Sequence, residues 1–163
     1  MDQPGFLYGL NSVKKLTAYL NSLESLQIKS LEDEKIAVRK SFAISFNYPD
    51  GIMTIKVSVD FLCRTENPEP VKLFGTTVQC DFKLFKYEDI LKLDESGQVD
   101  IPNDLLITLL SVSFSTGRGI LAAQTAGTDY ANLFLPLIST SDIKILLEDL
   151  KQKEGLPATG ELS

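Results

Sequence analysis

The sequence predicts an α+β domain: a four-stranded antiparallel sheet packed with a long helix and a C-terminal helix, plus a short N-terminal helix. Three observations predict it. Between residues 41 and 85, apolar and polar residues alternate in runs separated by Pro-, Asp- and Gly-bearing turns, the period of half-buried strands. From residue 102 to 125 the period becomes helical, and residues 141–155 repeat it. The 163 residues, 44% hydrophobic and 23% charged, suit one domain over 1–155 with a flexible C-terminal tail over 156–163.

In chain order, Val13, Leu16, Leu20 and Leu23 stand at helical spacing after the capping residues Asn11 and Ser12, which predicts an amphipathic helix over 11–23. Leu26 and Ile28, then Ile36 and Val38, alternate and predict a first strand. "SFAISF" (41–46) and "GIMTIKVSVDFLC" (51–63), joined by "NYPDG" (47–51), read as a hairpin. After the turn "RTENPEP" (64–70), the stretch 71–85 resumes the alternation. Val57, Val59 and Phe61 share one face of their strand, as do Val78, Cys80, Phe82 and Leu84 of the next.

The connection 86–102 is acidic and ends in a helix start signal, Asp100 followed by Pro102. One long helix then runs to about Thr125, with Leu105, Leu109, Val112, Thr116, Gly119 and Ala123 forming a seam at alternating spacings of four and three. A crossover (127–140) leads to a capped helix whose Ile143, Leu146, Leu147 and Leu150 face inward, stopped by Gly155 and Pro157.

Composition removes several chemistries. No histidine occurs, which excludes Ser-His-Asp and Cys-His catalysis and imidazole zinc sites. Cys63 and Cys80 are too few for a thiolate metal site and could bridge only if the fold made them neighbours. A net charge of −6 without clustered Lys and Arg argues against nucleic acid. The amino terminus has no secretory pattern, and the apolar run Leu105 to Phe114 is short of the ~20 residues that cross a bilayer. A soluble, cytoplasmic chain without membrane insertion is therefore expected.

Carboxylates in "LEDEK" (31–35) and "LDESG" (93–97) could support histidine-free hydrolysis, but lying in polar turns they read as solvated. No enzyme activity, metal or cofactor is expected. "LPATG" (156–160) matches the sortase recognition pattern but lacks the flanking segments such substrates carry, and reads as accidental.

Two stretches carry more information. "STGRGILAAQTAG" (115–127) has the glycines of a phosphate loop, yet they lie inside a helical pattern and no Lys follows. Each glycine costs a helix interior about 1 kcal/mol, so their presence points to close packing by another element, with Arg118 reaching outward. "NLFLPLI" (132–138) is apolar at five of seven positions, where a connection between two helices would ordinarily be polar. Such a loop either covers the sheet or lines a surface for a partner.

The order "IP", long helix with "TGRGILAAQTAGT", "LFLPLI" and terminal helix resembles the SecB-like chaperones, most closely their divergent members, over about Asp100 to Leu150. That resemblance implies an ATP-independent holdase that binds non-native polypeptides in apolar grooves, assembled as a homotetramer, a dimer of dimers. It implies a groove of Leu133, Phe134, Leu135 and Ile138 with aromatic support from Phe82 and Phe85. It also implies an oligomer interface along Leu109, Val112, Thr116, Gly119 and Ala123. Protein export with docking to the translocation motor lies within the family's range. So does a dedicated chaperone or adaptor for one partner such as an antitoxin, and a structural assembly subunit without chaperone activity is the reading from another class.

Overall fold

The computed structural model describes residues 7–31, 35–65, 68–89, 91, 93, 95 and 99–154, the side chains of 146 and 149–154 apart. Strands β1 (Leu7–Leu20), β2 (Lys35–Asn47), β3 (Ile52–Arg64) and β4 (Val71–Phe85) form one antiparallel sheet in the order β1-β4-β3-β2. Helices α1 (Asn103–Thr125) and α2 (Thr140–Glu154) follow. The expected α+β class therefore holds, but the expected short N-terminal helix does not exist: its residues belong to β1.

The reason lies in the register of β1. Leu10 faces Phe82 and Val13 faces Cys80, with an irregularity between Leu10 and Ser12; Lys15 faces Val78 and Ala18 faces Thr76, with a second between Lys15 and Thr17. Each bulge inserts one residue, so neighbours on the same sheet face stand three apart instead of two. Apolar spacing along a twice-bulged strand thus imitates that of a helix. The predicted strand through Leu26 and Ile28 is corrected in turn: residues 21–31 are turn and coil, while Ile36 and Val38 merge with "SFAISF" into the single strand β2.

Alternation builds the core. Met53, Ile55, Val57, Val59 and Phe61 of β3 pair with Phe82, Cys80, Val78, Thr76 and Phe74 of β4, and all ten are buried. Ile44 and Phe46 of β2 extend this face, and α1 covers it with Leu105, Leu106, Leu109, Leu110, Ser113 and Phe114. The hairpin between β2 and β3 turns through Asn47 to Gly51, where Gly51 takes φ +60 and the Tyr87 ring packs directly on its Cα. At Gly75 a Cβ would lie 2.6 Å from the Val59 carbonyl and 2.8 Å from the Tyr19 ring. Its absence lets Tyr19 cross β4 and donate to Asp60 at 2.7 Å. Cys80 stands opposite Ile55, whereas Cys63 lies eight residues farther along β3, well beyond disulfide reach.

The opposite face is polar and is organised by Asp81, which is 8% exposed. Its carboxylate accepts from Ser12 (2.6 Å), Thr54 (2.8 Å) and Gln79 (2.9 Å), with the Lys14 ammonium 3.7 Å away. Burial pushes this carboxyl up, but the three hydrogen bonds and Lys14 outweigh it, and its pKa is lowered. A carboxylate with a depressed folded pKa stabilises the fold above its unfolded pKa, about 3.9, and this contribution disappears as pH falls through the folded value. Asp81→Asn is expected to lose roughly 1–3 kcal/mol at pH 7, with the gap to the parent closing in acid below the folded pKa, as read from urea midpoints against pH.

Helix α1 begins after Pro102, with Asp104 in its first turn, and ends at Ala126. Its 23 residues are long and apolar enough to cross a membrane by length and composition, where sequence reading counted only Leu105 to Phe114. Half of that apolar stretch is buried within the chain, consistent with a core helix. Ser139 and Asp142 cap α2 reciprocally: Asp142 accepts from the Ser139 amide and hydroxyl at 3.0 and 2.8 Å, and the Asp142 amide donates back to the hydroxyl at 3.1 Å. Ile143 and Leu147 are buried as expected, whereas the side chains of Leu146 and Leu150, the stop at Gly155 and Pro157, and the tail 156–163 with "LPATG" lie outside the described residues.

Candidate functional site

The crossover from α1 to α2 is pinned at its start. Gly127 takes φ +73, Thr128 Oγ1 donates to the Thr125 carbonyl at 2.7 Å, and the buried Tyr130 hydroxyl donates to the Asn21 carbonyl at 2.5 Å. The Tyr130 ring lies 4.9 Å from that of Phe74, which stacks on Phe61 at 4.3 Å. A rigid aromatic column therefore connects the sheet to the crossover.

Beyond Leu133 the chain runs without regular structure alongside α1. Pro136 removes one backbone donor that would otherwise require a partner. Leu135 is buried and anchors the segment, while Phe134 and Leu137 are 70% and 76% exposed. On one side of this anchor, Leu133, Phe134 and Leu135 line a cavity of ≈ 320 Å³ against Arg118 and Gly119. On the other, Phe42, Phe114, Ile138 and Ile145 line one of ≈ 360 Å³ with Lys40 and Asp142 at its edge. A narrow crevice past Arg118, Pro136 and Leu137 shares lining residues with both, so the three adjoin in one mostly apolar row along α1 and the crossover, hereafter the channel.

Four of the groove residues expected from sequence, Leu133, Phe134, Leu135 and Ile138, come together here. The other two do not. Phe82 is fully buried in the sheet core against Tyr8, and Phe85, opposite Leu7, projects from the sheet face turned away from α1. Their place is taken by Phe42, Phe114 and Ile145. Leu137 was within reach of sequence reading, since it belongs to "LFLPLI"; Phe42 was not, because only the sheet order brings β2 beneath α2.

The expected interface seam also divides. Leu109 is wholly buried in the chain's own core and is unavailable to a second copy, which corrects its assignment. Val112 and Thr116 are half-buried, and the Thr116 hydroxyl donates to the Val112 carbonyl at 2.9 Å. Gly119 and Ala123 are exposed. A Cβ on Gly117 or Gly119 would meet nothing within 4 Å, so neither glycine serves close packing inside this chain. The flank of α1 at Thr116 reaches Cys80 of β4, whose partner across the sheet is Val13. Leu10, Val13, Leu16 and Leu20 leave an exposed apolar row along β1 beside that flank.

Among the described residues no cluster of three metal-ligating side chains forms. The channel offers shape, apolar surface, the Arg118 guanidinium and, at its other end, Lys40 and Asp142.

This architecture, a four-stranded antiparallel sheet under a long helix with an apolar crossover to a second helix, is the fold of the SecB-like chaperones. The chain is similar to the Mycobacterium tuberculosis Rv1957 SecB-like chaperone, solved in complex with a ChAD peptide from the Rv1956 HigA1 antitoxin. The likeness has a TM-score of 0.53 and 12% identity, and covers 80% of this chain and 90% of that one. A protein of unknown function from Streptococcus agalactiae is also similar, with a TM-score of 0.39 and 8% identity over 83% of this chain and 97% of the other. No family model and no curated protein sequence matches the chain.

Proposed function

We propose that the chain is an ATP-independent holdase that takes apolar segments of non-native polypeptide into the channel between α1 and the crossover. The observation that carries this reading is the crossover itself: Phe134 and Leu137 stand exposed beside adjoining cavities of ≈ 320 and ≈ 360 Å³, on a segment that Leu135 anchors to the core with Leu133 and Ile138 partly buried against it. Apolar burial at roughly 25 cal/mol per Å² needs no sequence motif, so such a channel accepts many segments. It requires neither nucleotide nor catalytic group.

Suppression of aggregation tests this. Substoichiometric amounts should keep a chemically denatured, unrelated protein in solution without ATP, and failure across several clients would remove the general holdase reading. The similarity to a chaperone solved with an antitoxin peptide supports a second reading, a dedicated chaperone for one partner such as an antitoxin. That version predicts capture of a single co-expressed protein and no general suppression. A cytoplasmic setting belongs to either version, and a part in protein export belongs to the first.

The assembly proposed with it is a homo-oligomer, a dimer of dimers. Thr116, Gly119 and Ala123 beside the exposed row of β1 supply a surface for a second copy. Because Gly119 also lines the channel, Gly119→Leu separates the two roles. A fall in solution mass by light scattering places Gly119 in the seam between copies; retained mass with lost client capture places it on the channel floor.

A further inference from the structure

Arg118 occupies the joint of the channel, lining both the cavity at Leu133 to Leu135 and the crevice at Pro136 to Ile138. It is half-buried, and among the described residues no carboxylate, carbonyl or hydroxyl accepts from its guanidinium. The carboxylate on the adjoining stretch of the channel, Asp142, is already held by the Ser139 amide and hydroxyl. A guanidinium presents five donors in a planar fork that fits a carboxylate in two parallel bonds. Set among Phe134, Leu135 and Pro136, it is partly withdrawn from water, where an unmade charged hydrogen bond is costly and a made one is strong. The flanking glycines add no bulk, since a Cβ at either would meet nothing within 4 Å. Gly117 is buried and lines none of these cavities, whereas Gly119 is exposed and lines the one at Leu133 to Leu135, so a bound chain can approach the helix backbone on the Gly119 side of the Arg118 stem.

Resting on the holdase reading above, we infer that Arg118 receives a side-chain carboxylate of the bound segment, so that the channel selects apolar stretches interrupted by a single Asp or Glu. One acid, not several, follows from charge. The chain carries −6 overall, so a strongly acidic client is repelled as it approaches, whereas one carboxylate delivered to Arg118 pairs at contact within a screening length of ~8 Å. The apolar walls supply affinity and the guanidinium supplies register along the channel.

Three fluorescein-labelled, end-blocked dodecapeptides of Leu, Phe, Val and Ser, identical except for Glu, Gln or Lys at the centre, test this by anisotropy against the full chain. The Glu peptide should bind about tenfold more tightly than the Gln peptide, and the Lys peptide most weakly. Arg118→Gln should bring the ratio of Glu-peptide to Gln-peptide affinity, measured within the variant, to about one, and Arg118→Lys should keep only part of the parent ratio. Equal binding of the Glu and Gln peptides to the parent chain, or a Glu preference that survives Arg118→Gln, overturns the role of Arg118 and leaves the channel reading standing. Binding of none of the three overturns both.

Discussion

Phe134→Ser is expected to weaken capture of an apolar peptide roughly 30-fold while leaving the thermal midpoint nearly unchanged. The size follows from the behaviour of aromatic anchors at the centre of a binding surface, where truncation costs about 2 kcal/mol or more. The selectivity follows from exposure: at 70% exposed, the ring contributes little to the chain's own core. Leu135→Ser is the informative contrast. That side chain is 5% exposed, so the substitution should lower stability by about 2–5 kcal/mol and lose capture through unfolding of the crossover. Anisotropy with a labelled apolar peptide, paired with urea unfolding of each variant, separates the two effects. Full capture by a folded Phe134→Ser chain would move the binding surface away from the crossover.

Phe74→Ala is expected to have the largest effect on stability, about 3–5 kcal/mol by urea unfolding, a large part of what a domain of this size possesses. Phe74 is fully buried, stacked on Phe61 at 4.3 Å and 4.9 Å from Tyr130. Its loss leaves a void on both sides, and Tyr130 is the residue that ties the crossover to the Asn21 carbonyl. Amide exchange across 129–135 should therefore accelerate beyond the global change, and capture should fall even under conditions where the sheet stays folded. Phe74→Leu should recover most of the stability, since it refills the void without the stack.

Much of this molecule was legible locally. The strict alternation in Ile52 to Arg64 and Val71 to Phe85 placed two central strands, and "NYPDG" placed their hairpin neighbour. The crossover was legible because apolar residues around a proline are out of character between two helices. Arg118 was visible too, as a cation between glycines, but its lack of a partner among the described residues is a fact about space. The amino-terminal strand was misread because two bulges restore a spacing of three, which no local pattern distinguishes from a helical turn. The family resemblance placed Phe82 and Phe85 at the groove, yet only a strand's two-residue period and the position of α1 decide that one is core and the other faces away.

Local periodicity, composition and turn chemistry thus carried the class of fold, the absence of histidine chemistry and the apolar crossover, because each depends on residues a few positions apart. Depth and adjacency came from long-range pairing: β1 beside β4, with Ser12 donating to an aspartate 69 positions away, and β2 delivered beneath α2. Those contacts form only when the sheet closes its register, and they separate Leu109 in the core from Gly119 at the surface along what the sequence presents as one uniform seam.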